Sequence, residues 1–268
     1  MKVLLTGDKG FVGSHIRVGL ENSHDVVGLD VRGSFTEWVD DMNSVMGRDI
    51  EAVVHCGAIS NNQCDDPDIY LWNAYGTYLL AKTVRTINAD IPFIFFSSFV
   101  VSATESEPES RTPYGWTKAV AEDLVQEILP DATIIRPGVM WGKEVNKKAH
   151  VGSVPWRLAS HDIEFLIRGW KRRYVHVHDV VEAIKNCLDN RPRGIFEISS
   201  DKFYTNEELA GLVQWKDYQW IDKASDGGFK FVSHHDKIGG LNLLPGWSPQ
   251  VRLETELPRL EKELHSDR

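Results

Sequence analysis

The sequence contains few cysteines and no long hydrophobic run. Its three cysteines, Cys56, Cys64 and Cys187, lack the spacing of metal ligands, which predicts reduced thiols, no disulfide and no bound metal. The spacing of four histidines also fits no metal site and predicts core or surface roles: His55, His150, His176 and His178. The apolar stretch from Ile91 to Ala103 is interrupted by serines and falls short of the roughly 20 residues that a membrane span needs, so we interpret it as a buried strand. The apolar run at the amino terminus is too short for a signal peptide, which favours a cytoplasmic protein.

Positive charge is outnumbered as well. Lys and Arg total 30 against 39 Asp and Glu, and the net charge of -9 disfavours nonspecific binding to nucleic acid or to an anionic membrane. A hydrophobic content of 42% and a charged content of 26% are typical of folded globular proteins, which excludes disordered and fibrous classes. The 268 residues suffice for one large α/β domain or for a domain with a small added lobe.

Apolar, β-rich runs alternate with longer amphipathic stretches through the first two-thirds of the chain. Because the runs are continuously apolar, they predict strands that helices cover on both faces, and so a doubly wound parallel sheet of the α/β class. The predicted strands are Lys2 to Thr6, Asp25 to Asp30, Ala52 to His55, Phe93 to Ser97 and Thr133 to Arg136. The predicted helices are Asp68 to Asn88, Tyr114 to Leu129, Asn206 to Val213 and Leu253 to Leu264, with Pro258 close to the start of the last one.

The composition changes between Lys143 and Arg173, where the sequence is basic and rich in tryptophan with weak periodicity. A strand-like run extends from Tyr174 to Val181. We predict that the chain leaves the sheet here to build a small C-terminal substrate lobe. In this division residues 1–145 form the sheet domain, residues 174–199 return to it, and residues 146–173 and 200–268 form the lobe.

A glycine-rich turn, Thr6-Gly7-Asp8-Lys9-Gly10-Phe11-Val12-Gly13, comes after the first predicted strand and precedes a predicted helix. Gly7 permits the tight turn, Gly10 lets the backbone approach a pyrophosphate, and Gly13 lets the helix pack on the strand. The pattern indicates a Rossmann-type dinucleotide site, although such a turn alone also occurs without a ligand.

Asp30 ends the second predicted strand, at the position where a carboxylate accepts hydrogen bonds from the adenosine ribose hydroxyls. The same charge would repel a 2′-phosphate, which favours NAD over NADP. The nearby Arg32 weakens that inference, and a solvated turn acid is the alternative interpretation.

Tyr114 and Lys118 are four residues apart in a predicted helix and therefore share one face. The charge of Lys118, together with an oxidised nicotinamide, would lower the Tyr114 pKa and let the phenolate act as a base near neutral pH. Lys118 could also hold the nicotinamide ribose. In isolation, the same spacing is also typical of an exposed surface pair.

Taken together, these motifs resemble the extended short-chain dehydrogenase/reductase family, the NAD-dependent group of nucleotide-sugar epimerases and dehydratases. The resemblance covers nearly the whole chain, and its matching segments are Thr6 to Gly13, Asp30, His55-Cys56-Gly57-Ala58, Asn73 with Gly76-Thr77, Ser97-Ser98, Tyr114 to Lys118, Arg136-Pro137 with Gly142, and His176 to Val180. It implies an enzyme of carbohydrate biosynthesis whose catalytic residues are Ser98, Tyr114 and Lys118, with Ser98 polarising the substrate oxygen and Ser97 as the weaker alternative. The implied cofactor-binding residues are Gly7, Gly10, Phe11, Val12, Gly13, Asp30, Gly57, Ala58, Asn73, Ser97, Tyr114, Lys118, Pro137 and Gly138. The resemblance also implies a homodimer through the helices Asp68 to Asn88 and Tyr114 to Leu129.

The two residues after Ser98 narrow the choice among the family's reactions. In the resembling family the tyrosine removes a proton from a sugar hydroxyl while hydride passes to NAD, and a 4-keto sugar results. The 4,6-dehydratases carry Asp-Glu where this chain has Phe99-Val100, so the resemblance implies an epimerase or a ketoreductase. Arg172 matches the arginine that binds the substrate diphosphate, whereas Val139 replaces the family's usual asparagine and puts sugar-nucleotide specificity in doubt.

We therefore expect an NAD-dependent epimerase of a nucleotide sugar. Two alternatives stay open. One is an NAD(P)H-dependent ketoreductase of a sugar nucleotide or of another small carbonyl substrate, and the other is a noncatalytic dinucleotide-binding protein.

Overall fold

A computed structural model of the protein describes residues 1–30, 33–47, 49–60, 66–105, 108–143, 153–222 and 242–266. The strands are β1 (Lys2–Thr6), β2 (Asp25–Leu29), β3 (Ala52–His55), β4 (Phe93–Phe96), β5 (Thr133–Pro137), β6 (Val139–Trp141), β7 (Phe165–Ile167), β8 (Lys171–Arg172), β9 (Tyr174–His176), β10 (Gly194–Ile198), β11 (Tyr204–Thr205) and β12 (Gln219–Ile221). The helices are α1 (Phe11–Leu20), α2 (Phe35–Met46), α3 (Asp68–Tyr70), α4 (Gly76–Ile87), α5 (Phe99–Ala103), α6 (Pro113–Ile128), α7 (Val154–Ala159), α8 (Val177–Asn190), α9 (Asn206–Leu212) and α10 (Leu253–His265).

A six-stranded sheet lies at the centre, with its strands in the order β10-β5-β4-β3-β1-β2. Every pairing in it is parallel, as expected for strands that are joined by helical crossovers. The chain passes from β1 to β2 on one side and then to β3 on the other side of β1. This reversal between β1 and β3 makes a crevice outside the carboxyl ends of the strands, where α/β proteins of this class bind ligands.

Helices cover both faces of this sheet, and two hydrophobic clusters result. One cluster packs α1 and α8 against one face, through residues such as Ile16 and Ile184. The other packs α2, α4 and α6 against the opposite face, through residues such as Met42, Leu80 and Val125. The predicted α/β class, with a Rossmann-type doubly wound parallel sheet, is confirmed.

A third hydrophobic cluster lies outside the sheet domain and joins segments from residue 139 onward. Trp141, Leu158, Tyr174, Leu209 and Leu257 are among its buried members. Three short strand pairs support it: β6 with β9, β7 with β12, and β8 with β11. Leu158, Leu209 and Leu257 belong to segments that the sequence assigns to the small lobe, whereas Trp141 and Tyr174 belong to segments that it assigns to the sheet domain. The division into domains therefore stays a prediction.

Two predicted strands are only partly correct, and serine or histidine capping explains both. The stretch from Ile91 to Ala103 is a strand only as far as Phe96, because Ser98 then caps the short helix α5 by accepting a hydrogen bond from the Val100 amide at 3.3 Å. The run from Tyr174 to Val181 ends as a strand at His176, whose side chain caps α8 in the same way. Polar caps inside apolar runs therefore mark the strand-to-helix boundaries.

Two predicted helices also differ in detail. The helix expected from Asp68 to Asn88 contains a π-helical segment, Leu71–Tyr75, between α3 and α4. The last predicted helix does begin at Leu253, as α10, but Pro258 lies inside it, more than one turn after the start, and not close to the start as predicted. The proline costs the helix a hydrogen bond, but burial of Leu253 and Leu257 in the third hydrophobic cluster holds this turn in place.

Among the described residues, no helix is long and apolar enough to cross a membrane. Cys56 and Cys187 are free thiols, whereas Cys64, Arg32, His150 and residues 144–152 lie outside the described residues.

Candidate functional site

The predicted site residues converge on one edge of the central sheet. The glycine loop comes after β1, Asp30 after β2, and Gly57 with Ala58 after β3. Ser97 and Ser98 come after β4, and Gly138 after β5. Since the strands are parallel, all of these positions lie at their carboxyl ends, on either side of the crevice between β1 and β3.

Backbone atoms in the glycine loop pack so closely that Gly7 and Gly13 leave no room for a side chain. Gly7 has a φ of +67°, and a Cβ there would lie 2.7 Å from the Cα of Gly57. A Cβ on Gly13 would lie 2.1 Å from the Gly7 carbonyl oxygen, so only glycine lets α1 pack this closely against the loop. A Cβ on Gly10, by contrast, would meet only the Gly7 carbonyl oxygen, at 3.2 Å, which leaves an open approach to the backbone.

The amino terminus of α1 faces this opening. Gly10 precedes the helix without any side-chain capping bond, so the first amides of α1, from Phe11 and Val12 onward, have no capping side chain. Exposed amides and the positive end of the helix dipole favour an anion such as a pyrophosphate. The loop therefore fits the phosphate part of a dinucleotide.

Asp30 lies directly beside this loop. The Gly7 amide donates a hydrogen bond of 2.8 Å to the carbonyl oxygen of Leu29, the last residue of β2, and so joins the loop to the end of that strand. Asp30 is partly buried at the next position. This placement suits a carboxylate that binds a ribose next to the phosphates.

A buried histidine fixes the strand end at Gly57. The Gly57 amide donates to Thr6 Oγ1 at 3.0 Å, and Thr6 Oγ1 lies 2.6 Å from His55 Nδ1. His55 Nε2 lies 2.8 Å from Thr77 Oγ1, which itself donates to the Asn73 carbonyl oxygen. Thr77 Oγ1 can therefore only accept a hydrogen bond from Nε2–H. Burial keeps the imidazole neutral, so Nδ1 accepts a hydrogen bond from the Thr6 hydroxyl. The prediction of a core role for His55 is confirmed.

Acidification is expected to destabilise the fold through His55. Burial lowers the pKa of His55 to about 3, and the charge of Lys118 adds to that effect, whereas the unfolded value is 6.5. Below the unfolded pKa the unfolded chain binds a proton that the folded chain excludes, so this stability is complete above pH 6.5 and is lost as the pH falls toward 3. The expected loss is roughly 2 kcal/mol by about pH 5.

Chemical denaturation of the wild type and of His55→Gln across this pH range measures the effect. The wild type should lose stability more steeply than the variant, and replacing the exposed His178 with Gln should leave the slope unchanged. Equal slopes for the wild type and His55→Gln would contradict the assignment.

Asn73 braces the same region from the π-helical segment. Its Oδ1 accepts from the Ile59 amide at 2.7 Å, and its Nδ2 donates to the Ile59 carbonyl oxygen at 3.0 Å and to Thr117 Oγ1 at 3.2 Å. Asn73 is 1% exposed. It thereby joins the loop after Ala58 to the helix that carries Tyr114, and local π-helical turns often occur at functional sites.

Ser98, Tyr114 and Lys118 lie together at the end of β4. Thr112 caps α6 by accepting from the Gly115 amide at 3.2 Å, which places Tyr114 in the first turn and Lys118 one turn later. Burial raises the pKa of Tyr114 to about 12, and a hydrogen bond with Ser98 opposes that shift. The three predicted catalytic residues are thus adjacent, with Ser98 and Tyr114 in direct contact.

Lys118 is held in place by the strand below it. It is 2% exposed, and its Nζ donates to the Phe96 carbonyl oxygen at 2.7 Å. Nζ also lies 4.9 Å from the centre of the Phe95 ring and 6.0 Å from that of Tyr114. Burial lowers the pKa of Lys118 to about 8, and the nearby Glu122 carboxylate opposes that shift. An ammonium in this position places positive charge near the phenol.

A buried ion pair underlies the three catalytic candidates. Glu122 is 2% exposed and accepts two hydrogen bonds from Arg136, at 2.9 Å from Nε and 2.6 Å from Nη2. Its Oε1 also accepts from the hydroxyl of Ser97, which is therefore engaged away from any ligand. The sequence motifs do not include Glu122, although an acid one helical turn beyond Lys118 on a buried face signals a cationic partner.

The end of β5 is closely packed. The Gly138 amide donates to the Ile198 carbonyl oxygen at 2.9 Å, and a Cβ on Gly138 would lie 2.9 Å from the Arg173 carbonyl oxygen. Pro137 is buried at the last position of β5, and Val139 packs against the third hydrophobic cluster. Pro137 and Gly138 therefore fix the turn that connects the sheet to the small strands.

Arg172 lies apart from the sheet edge, in the small strand β8, which pairs with β11. Its guanidinium lies 4.6 Å from the centre of the Trp170 ring. Burial lowers the pKa of Arg172, and interactions with Tyr174 oppose that shift. The Nε atom is buried and has no hydrogen-bond partner in the part of the chain that the structure describes. This guanidinium can still bind an anion.

Known proteins share both the sequence pattern and the fold. A model of the NAD dependent epimerase/dehydratase family matches residues 3–199. Among curated proteins, the mitochondrial NADH-ubiquinone oxidoreductase 40 kDa subunit of Neurospora crassa is 33% identical over 148 residues. That match covers 54% of this chain, and the chain spans only 36% of that relative's length.

Solved structures share the fold over the full chain. UDP-glucose 4-epimerase from Thermotoga maritima, with UDP-glucose, has a TM-score of 0.78 at 19% identity and covers 100% of this chain and 99% of its own. The dTDP-4-dehydrorhamnose reductase of Bacillus anthracis, in complex with NADP, has a TM-score of 0.71 at 17% identity and covers 98% of this chain and 99% of its own. The family match spans the glycine loop, the three catalytic candidates and all of the central sheet except Lys2. The chain therefore belongs to the NAD dependent epimerase/dehydratase family of enzymes.

Proposed function

We propose that the protein is an NAD-dependent epimerase of a nucleotide sugar that works through a transient 4-keto intermediate. The observation that carries this proposal is the contact between Ser98 and Tyr114 beside the buried ammonium of Lys118. Bound NAD would supply a hydride acceptor that also returns the hydride. Tyr114 would take the proton from the sugar hydroxyl, Ser98 would hold that oxygen, and Lys118 would keep positive charge near the phenol.

The cofactor assignment rests on the crevice between β1 and β3. Gly7, Gly10 and Gly13, with the first amides of α1, would hold the pyrophosphate. Asp30 would bind the adenosine ribose and disfavour a 2′-phosphate, so NAD is proposed over NADP. Gly57, Ala58, Asn73, Pro137 and Gly138 would shape the remaining walls, as would Ser97 through its backbone.

The substrate assignment rests on Arg172 and the small lobe. The Arg172 guanidinium is partly buried, and its buried Nε has no hydrogen-bond partner among the described residues. Such a group suits a diphosphate, which arginine binds through paired hydrogen bonds. In this proposal residues 146–173 and 200–268 form the substrate lobe, and the protein acts in the cytoplasm on a soluble substrate.

A second candidate is a ketoreductase, and Val139 is the observation that favours it. The side chain packs against the third hydrophobic cluster at the position where the resembling family has asparagine. An apolar residue there removes one polar contact with a sugar nucleotide and would tolerate a smaller carbonyl substrate. A ketoreductase would consume NADH or NADPH instead of recycling it.

The dinucleotide content of the purified protein tests this proposal. The protein is isolated without added cofactor and denatured, and any released dinucleotide is identified by mass spectrometry. Released NAD, together with inversion of a nucleotide sugar such as UDP-glucose without net cofactor consumption, is the expected result. An empty protein that oxidises added NADH or NADPH would favour the ketoreductase, and no dinucleotide affinity at all would overturn both.

We also propose that the protein is a homodimer through α4 and α6. These helices pack against each other and leave Trp116 and Val120 of α6, and Tyr75 directly before α4, between 39% and 49% exposed. Val120→Asp should shift the protein to monomers in gel filtration with light scattering, because it would bury a charge between the subunits. The same substitution at Val18, which is 55% exposed on α1, should leave the dimer intact. A monomeric wild type would contradict this arrangement.

A further inference from the structure

An ion pair occupies the adenosine side of the glycine loop. Asp8, which is 8% exposed, accepts hydrogen bonds from Arg17 at 3.1 Å from Nε and 2.6 Å from Nη2. Arg17 Nη1 also donates to Glu21 Oε1 at 3.1 Å and to the Val26 carbonyl oxygen at 3.4 Å. The carboxylate of Asp8 thus holds the guanidinium by two of its nitrogens.

This pair lies on β2 next to the ribose carboxylate. A Cβ on Gly28 would lie 2.1 Å from Arg17 Nη2 and 2.2 Å from Asp8 Oδ2, so the missing side chain of Gly28 makes the space for both groups. Asp30 directly follows β2 and is two residues after Gly28, so extended backbone would place the two on the same side, about 7 Å from each other. The guanidinium of Arg17 is consequently within a side chain's length of the site where a 2′-substituent of the ribose would lie.

An arginine at this distance is a natural ligand for a 2′-phosphate, since a guanidinium binds phosphate oxygens through paired, charge-assisted hydrogen bonds. In this protein the same donors are already engaged by Asp8. The carboxylates of Asp8 and Asp30 would both face an incoming 2′-phosphate, which carries negative charge of its own.

We infer that Asp8 is a determinant of dinucleotide specificity: it holds Arg17 away from the ribose and so selects the 2′-hydroxyl of NAD over the 2′-phosphate of NADP. Asp30 would bind the ribose hydroxyls, and Asp8 would keep the Arg17 guanidinium from binding the 2′-phosphate of NADP. This inference rests on the proposed use of NAD and assigns a second acid to that preference.

The two roles of the pair make different predictions. If Asp8 and Arg17 only join the glycine loop to α1, removing Asp8 should lower stability and weaken both dinucleotides alike. If Asp8 sequesters Arg17, removing Asp8 should improve the binding of NADP relative to NAD, and the gain should require Arg17.

Titration calorimetry with NAD and with NADP on the 268-residue chain tests the inference. The variants are Asp8→Ser, Asp8→Asn, which keeps the side-chain volume if Asp8→Ser fails to fold, and Asp8→Ser/Arg17→Met. Asp25→Ser removes the same charge from the exposed opposite end of β2 and controls for net charge. The ratio of the two dissociation constants should move toward NADP by about tenfold in Asp8→Ser, as expected for one new charged hydrogen-bonding partner. It should return toward the wild-type value in the double variant and stay unchanged in Asp25→Ser.

The outcomes separate this inference from the proposed function. An unchanged ratio in both Asp8 variants, or a gain that persists without Arg17 or also occurs in Asp25→Ser, would overturn the inference and leave NAD binding intact. A wild type that binds neither dinucleotide would overturn the proposed function and this inference with it.

Discussion

Replacing Tyr114 with phenylalanine is expected to slow inversion of the nucleotide sugar by a factor of about 10³, because positioned proton transfer contributes roughly 10²–10⁴ to such reactions. Phenylalanine keeps the ring and its packing and removes only the hydroxyl that contacts Ser98. The amount of dinucleotide bound per protein should therefore stay near the wild-type value. Steady-state turnover, measured beside the dinucleotide content, separates a loss of chemistry from a loss of cofactor.

The charge next to Tyr114 determines in which direction replacing Lys118 should shift the pH dependence of turnover. Burial raises the Tyr114 pKa to about 12, so the phenol holds its proton at neutral pH unless positive charge comes close. The Tyr114 pKa stays raised with Lys118 in place, so a bound oxidised nicotinamide would have to add further positive charge. Lys118 contributes its own charge below its lowered pKa of about 8. Without that charge the catalytic base should lose its proton at higher pH, so Lys118→Met should shift the rising limb of the pH–rate profile to higher pH.

A matched control is available in the small lobe. Tyr218 is partly buried between Trp215 and Trp220, and burial raises its pKa too. Tyr218→Phe removes the same hydroxyl from a ring that packs on Trp215 and Trp220, so kcat at saturating substrate should equal that of the wild type even if substrate affinity changes. Equal rates for the wild type and Tyr114→Phe would rule out Tyr114 as the catalytic base.

The central sheet could be predicted from sequence because its determinants are local. Runs such as Ala52–His55 are apolar at nearly every position, and continuous burial is what a strand covered on both faces requires. The glycine loop could also be recognised from sequence, since the backbone at Gly7 and Gly13 leaves no space for another residue's side chain. The sheet order confirms the predicted parallel sheet, and the positive φ of Gly7 fits the predicted tight turn, whereas dinucleotide binding at this loop stays a prediction.

The remaining features depend on contacts between residues far apart in the chain. Nothing near Asn73 in sequence indicates a π-helical turn, which is stabilised by its bonds to Ile59 and Thr117. Likewise, the residue pattern around Ser97 and Ser98 does not show which hydroxyl has a structural partner, and the approach of Glu122 on α6 identifies Ser97 as that one. Long-range polar partners of this kind are not encoded in hydrophobic periodicity.

Replacing Glu122 with alanine is expected to lower the free energy of unfolding by about 3–5 kcal/mol, because it leaves Arg136 in a largely buried position without its main partner. Arg136 is 11% exposed at its side chain and would keep Ser102 at 3.2 Å, the exposed Glu105 and the carboxylate of Glu197, which is opposite it on β10. Urea denaturation measures the loss.

The charge itself, more than the packing volume, should account for this cost. Glu122→Gln retains the side-chain size and can still accept from Ser97, yet it removes the charge that Arg136 requires, so it should also destabilise the fold. Glu122→Leu/Arg136→Met removes both charges and should lose less stability than Glu122→Ala, since apolar pairs commonly replace buried ion pairs at little cost. A double variant that is less stable than Glu122→Ala would show that the pair contributes net attraction. In that case the Ser97–Glu122–Arg136 network would be a principal support of the strand end that carries Ser98, and turnover in Glu122→Gln should fall together with stability.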